Sequence, residues 1–163
     1  MPSGKTHMKI NIVAFPILII ALTMWGVMDR IFYLFFGIGF ILGTYFLTPD
    51  MDIKSDTYRN WGPLRFIWII YLKIIPHRSF LSHSIVFGDI VRITYFVIIL
   101  SPVWYALNRY VLDGKLLETI MPYQTNIGIA ILGIMASSAL HIIADIISTK
   151  SKRMKTKRRK RAG

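Results

Sequence analysis

The feature that most constrains this chain is a run from Ile10 to Met28 without a single charged residue. A helix of about 20 apolar residues is what it takes to cross the hydrocarbon of a bilayer. A second charge-free run extends from Ile31 to Thr48. A third, from Ser84 to Leu107, carries Asp89 and Arg92 near its start, and a fourth, from Asn126 to Ile147, carries His141 and Asp145 near its end. Pro16 is tolerable as a kink in a membrane helix. The residues Thr23 to Val27 are too bulky for a signal-peptidase site, so the first run is expected to remain as a span. The mean hydropathy of +0.51 and the 54% hydrophobic content exceed the roughly 45–50% of ordinary globular chains. The sequence predicts an all-α integral membrane bundle of about four transmembrane helices.

The connections add detail. Asp29 and Arg30 close span one, so spans one and two are predicted to form an antiparallel hairpin joined by a turn of one or two residues. Gly37, Gly39 and Gly43 would let a neighbouring helix approach span two closely. The polar stretch from Pro49 to Asp56 follows, then an apolar run from Leu64 to Ile75 that carries Arg65 and Lys73. That run is too short to span and suits an interfacial helix between spans two and three. Asp89 and Arg92, three residues apart on one helical face, can neutralise each other. Residues 1–150 are expected to form one helical membrane domain, and residues 151–163 a basic, mobile tail.

Four spans return the chain to its starting side. One face then holds the N-terminus, the stretch from Pro49 to His83 and the tail; the other holds the turn near Asp29 and the loop around Asp113. The first face carries Lys5, Lys9, Lys54, Arg59, Arg65, Lys73, Arg78 and Lys150, plus the eight basic residues from Lys152 to Arg161; the second carries Arg30, Arg109 and Lys115. This asymmetry places the first face, with both termini, in the cytoplasm of a multi-pass protein of the cell (inner or plasma) membrane. The net charge of +12 gathers beside a membrane helix, which favours membrane lipids over nucleic acid as the partner. The oligomeric state leaves no signal.

The same topology collects the histidines and aspartates. His7, Asp50, Asp52, His83, His141 and Asp145 come from separate stretches yet arrive at similar depth on the cytoplasmic face, as a metal site between helices requires. His141 and Asp145, four apart, share one helical face. With no cysteine in the chain, a metal must be held by nitrogen and oxygen, which suits a divalent transition ion such as Zn, Mn, Fe or Ni. Six ligands exceed the four of a simple zinc site and leave room for two ions. Each residue also has an ordinary reading: His141 with Asp145 as a hydrogen-bonded pair, Asp50 and Asp52 as turn or cap residues, His7 as part of a tail. Their joint placement argues for the metal. His77 and Asp56 fall outside the set.

These segments together resemble a known family. Pro2 to His7, Thr48 to Asp52, Arg59 to Trp68, Pro76 to His83 and His141 to Asp145 are similar to an uncharacterised prokaryotic family of metal-binding membrane proteins. That family is similar in turn to inner-membrane-associated metal-dependent hydrolases once labelled LexA-binding. The resemblance runs to about Ser148 and excludes the basic tail. It implies a multi-span metal-dependent hydrolase in which His7, Asp50, Asp52, His83, His141 and Asp145 match the motif positions. The chain departs from the hydrolase pattern by one extra residue between His77 and His83.

The expected function is that of a membrane-embedded metal-dependent hydrolase acting on a lipid or lipid-linked phosphate ester. Asp52 would take a proton from the attacking water, and Arg78 would hold the phosphate. The alternatives are a non-catalytic metal-binding or metal-transport protein and a scaffold that uses the basic tail.

Overall fold

The computed structural model describes residues 4–77 and 79–162, with side chains as far as Met154. Every regular element among them is helical. Helix α1 (Gly4–Met24), α2 (Arg30–Tyr45) and α9 (Gln124–Ala162) form the frame. Between α2 and α9 lie the short α3 (Asp56–Asn60), α4 (Ile69–Ile74) and α5 (Phe80–His83), the bent pair α6 (Phe87–Ile99) and α7 (Ser101–Tyr110), and α8 (Leu116–Ile120). Three of the helical stretches are long and apolar enough to cross a membrane, and four if the pair α6–α7 counts as one span. That pair bends by 49° at Leu100, where Pro102 starts α7. The span expected from Ser84 to Leu107 is therefore broken, because proline has no amide to continue the ladder.

Two expectations at the N-terminal hairpin need correcting. α1 ends at Met24, and the link to α2 runs from Trp25 to Asp29 instead of one or two residues. Gly26, at φ 96°, takes the left-handed conformation that closes a helix. Asp29 then caps α2 by accepting a hydrogen bond from the Ile31 amide at 2.8 Å. At the other end, α1 begins at Gly4, so His7 lies inside the helix and not ahead of it.

The frame is set by small residues. α2 and α9 run parallel, and a Cβ added at Gly39 would stand 1.8 Å from the Ala130 carbonyl oxygen; one at Gly133 would stand 2.2 Å from that of Phe36. Only glycine permits backbones this near. Gly37 is different: a Cβ there would meet Phe15 at an ordinary 3.5 Å. α1 runs antiparallel to both, fastened by the buried Asn11, whose amide donates to Thr44 Oγ1 at 3.1 Å and to the Ser137 carbonyl at 3.2 Å. The outer faces stay apolar and exposed, as at Val13, Ile17 and Ile20 on α1 and Ile143 and Ile147 on α9.

The connector after α2 is built to hold that helix's end. The last carbonyls of a helix lack partners within it. Here Asn60 donates to the Tyr45 carbonyl and Trp61 Nε1 to that of Phe46, each at 2.9 Å, and Arg92 Nη1 reaches Leu47 at 2.6 Å. The run expected to be interfacial is a 3₁₀ helix, Gly62–Trp68, that continues into α4. It turns Trp68 and Tyr71 into a core with Leu47, Met51, Tyr58, Ile75 and Ile134, and leaves Leu64, Phe66 and Ile70 outside. Burial raises the pKa of the Tyr71 hydroxyl, so it stays protonated. α9 continues as helix beyond the expected end of span four at Ile147 and through the basic residues to Ala162.

Candidate metal centre

Four elements meet where α1 begins. α1 supplies His7, the 3₁₀ turn Pro49–Asp52 after α2 supplies Asp50 and Asp52, α5 supplies His83, and α9 supplies His141 and Asp145. Pro49 starts that turn at the position where its missing amide costs nothing, and Thr48 is tied to Thr57 by a hydroxyl hydrogen bond at 3.1 Å. His83 closes α5, and His141 and Asp145 share one face of α9 one turn apart.

The side chains divide into two groups that share His141. His7, His141 and Asp145 form one; Asp50, His83 and His141 form the other, with the ligand atoms of each group within 4.8 Å of one another. His7 Nε2 is 3.1 Å from Asp145 Oδ1. His141 Nε2 is 3.5 Å from Asp50 Oδ2, and His83 Nε2 is 3.7 Å from Asp50 Oδ1. The rings of His7 and His141 stack with centroids 3.8 Å apart.

These residues fit a metal ion. The buried Nε2 atoms of His83 and His141 make no hydrogen bond among the described residues, and an unmet buried nitrogen is costly. Their separations from Asp50 are too long for hydrogen bonds. Two ligand atoms each about 2.0–2.1 Å from a tetrahedral ion stand roughly 3.3–3.4 Å apart, and the 3.1, 3.5 and 3.7 Å separations here bracket that spacing. A set of imidazole and carboxylate donors suits a divalent transition ion.

Asp52 is placed differently from the other five. Its buried carboxylate lies 3.0 Å from His77 Nδ1 and 3.6 Å from His83 Nδ1, outside both groups of three. Ser82 Oγ also sits 2.9 Å from His83 Nδ1. Contacts at Nδ1 fix the ring of His83 with Nε2 turned toward Asp50. His77, which the sequence set apart from the ligands, is held by Asp52 while 42% of its side chain stays exposed. Arg78, the expected phosphate ligand, lies outside the described residues.

A cavity of about 350 Å³ opens onto the centre, bordered by His7, Asp50, His77 and Asp145, by the exposed Lys54 and Arg59, and by Asp56 between them in sequence. The sequence reading did not assign Lys54 and Arg59 to the site. It also missed Asn11, although its spacing of four from His7 puts both on one face of α1. Nothing local in the sequence links Asp52 with His77, because the pairing depends on how the connector folds back.

The fold and site define an all-helical protein with long apolar helices and a histidine–aspartate centre shaped for a metal ion. The chain matches the family described as uncharacterized metal-binding protein (DUF2227) over residues 2–155, and it belongs to that family. An uncharacterized protein of Aquifex aeolicus (strain VF5) is 38% identical over 61 residues, which cover 37% of this chain and 43% of that relative. The chain thus aligns with less than half of that curated relative's length. No solved structure matches.

Proposed function

We propose that this protein is a membrane-embedded, metal-dependent hydrolase of phosphate esters, with a lipid or lipid-linked phosphate as its substrate. The observation that carries the proposal is the cavity: it joins the metal-ligand groups to an exposed histidine backed by a buried carboxylate and to two cationic side chains. A purely structural metal site is closed, whereas a catalytic one keeps a position open to substrate. The exposed apolar faces of α1, α2 and α9 support the membrane setting, since soluble monomers rarely expose such large patches. The basic residues near the centre support a cytoplasmic site, and the outward Leu64, Phe66 and Ile70 support an interfacial place for the connector.

His7, Asp50, His83, His141 and Asp145 would hold one or two divalent transition ions, whose charge would polarise a phosphoryl oxygen and lower the pKa of a bound water. Lys54 and Arg59 attract the phosphate and orient it, with Arg59 able to bind two oxygens at once. His77 takes the proton as water oxygen bonds to phosphorus and the ester P–O bond breaks, and returns it to the leaving oxygen. Asp52 holds the His77 ring and stabilises its charged form, the part a buried carboxylate plays in histidine bases elsewhere.

The test uses full-length protein in detergent micelles, supplied with Zn, Mn, Fe or Ni ions in turn and offered a lipid phosphate monoester and a diester. Phosphate ester cleavage that is lost on chelation and in Asp50→Ala and His141→Ala is the expected result. Protein that binds a metal tightly but cleaves neither ester in any metal form would sink the hydrolase reading and leave a metal-binding protein.

A further inference from the structure

Asp89 and Arg92 on α6 are each only 1% exposed and are not among the metal-ligand groups. They pair at 3.3 Å across one turn of helix. Fold stability alone is a poor reason for such a pair, since apolar side chains of similar volume often replace buried ion pairs without loss. What distinguishes this pair is where its remaining contacts go.

Arg92 Nη1 donates to the Leu47 carbonyl at 2.6 Å, three residues before Asp50. Arg92 Nη2 donates to the Ser82 carbonyl at 3.4 Å, the residue before His83. Asp89 Oδ1 accepts from Ser138 Oγ at 2.8 Å, one turn before His141 on α9. The three anchor points lie on three separate segments, the link after α2, α5 and α9, and each stands one to three residues ahead of one member of a single ligand group, Asp50, His83 and His141. Gly88 completes the arrangement: a Cβ there would come within 2.8 Å of the Ser82 carbonyl oxygen, so glycine lets α5 seat against α6. The other group is fastened by different means. Asn11, one turn along α1 from His7, bonds to Thr44 Oγ1 and to the Ser137 carbonyl.

We propose that Asp89 and Arg92 are positioning residues for the Asp50–His83–His141 metal position, setting the relative placement of its three ligands without touching the ion. The proposal rests on the metal-centre reading of the site but not on its being a hydrolase. Guanidinium suits the task because its planar fork reaches two carbonyls and a carboxylate at once, which an ammonium does not. Partners that orient ligands from behind typically govern metal affinity by about 10–100-fold.

The experiment titrates metal-free, full-length protein in detergent with Co²⁺ and follows its visible absorption, which reports the ligand geometry. Arg92→Lys keeps the charge and loses the fork; Ser138→Ala releases only the tie to α9. Both are expected to weaken Co²⁺ binding about tenfold or more and to change the band shape, with helical content preserved. If both variants bind Co²⁺ with wild-type affinity and spectrum while His83→Ala does not, the positioning role is overturned, even if the variants melt at lower temperature. If Arg92→Lys does not fold, Ser138→Ala decides by the same criteria. If His83→Ala and His141→Ala also bind as the wild type does, the metal-centre reading fails instead.

Discussion

His7 and His141, near opposite ends of the chain, stack with ring centroids 3.8 Å apart and planes 20° from parallel. The contact joins the first turn of α1 to the middle of α9, and it sets two imidazoles side by side at the candidate metal centre. Because His141 belongs to both ligand groups, the two groups do not contribute equally to metal retention.

That inequality gives a first prediction. His141→Ala should remove metal from both groups, whereas His7→Ala and His83→Ala should each spare the group they do not belong to. Elemental analysis of dialysed protein checks this. A His141→Ala protein that keeps the wild-type metal content would show that the shared imidazole is not a ligand.

A second prediction concerns the frame. A methyl group at Gly39 would fall 1.8 Å from the Ala130 carbonyl oxygen, a backbone atom that cannot swing aside. Overpacking that forces backbone to shift costs about 1–3 kcal/mol and occasionally more. Gly39→Ala should therefore lower stability sharply in denaturant titrations in detergent, while Gly37→Ala, facing Phe15 at 3.5 Å, should stay close to wild type. Equal effects at the two positions would contradict the close packing of α2 on α9.

The contrast between Gly37 and Gly39 shows where sequence reading reached its limit. The spacing of glycines marks a helix that can be approached closely, but not which glycine meets a partner, because that depends on the rotation of α2 against α9. The helical class and the candidate spans were legible because hydrophobic runs without charge leave few alternatives. The gathering of His7, Asp50, His83, His141 and Asp145 was legible because an up-and-down path of long helices returns the chain to one end, which sets their level along the helices without knowledge of contacts. What depends on lateral packing was not: that Asp52 turns to His77, that Asn60 and Trp61 complete the end of α2, and that Arg92 reaches two other segments. Each joins residues through the folded path of the connector, whose run of 3₁₀ and short α-helix has no clear periodicity. The break at Leu100 could have been read from Pro102.

Asn11 supplies a third prediction. Its amide donates to Thr44 and to the Ser137 carbonyl from a fully buried position, so it ties α1 to both other frame helices. Asn11→Ala removes both bonds and leaves Thr44 Oγ1 without this donor, at a cost of about 1–3 kcal/mol. Thermal unfolding in detergent should show the loss. His7 lies one turn away on the same face, so metal at the His7–His141–Asp145 group should weaken as well, with the Asp50–His83–His141 group less affected.

The last prediction separates metal binding from turnover. Asp52 lies outside both groups of three ligands and is 3.0 Å from His77 Nδ1. If His77 moves the proton, His77→Ala should lower kcat by about 10²–10⁴-fold, the range for loss of a general acid–base group, and leave metal content near wild type. Asp52→Asn should lower kcat too, because an amide no longer stabilises the charged imidazole. It should also weaken metal binding modestly, since the same carboxylate faces His83 Nδ1 at 3.6 Å. Arg59→Ala should instead raise KM with little change in kcat, as expected of a side chain that binds the phosphate equally before and during reaction. Parallel assays of metal content, kcat and KM distinguish the three roles. A His77→Ala protein with unchanged kcat and full metal content would move the proton-transfer role away from the Asp52–His77 pair, to a group elsewhere along the cavity.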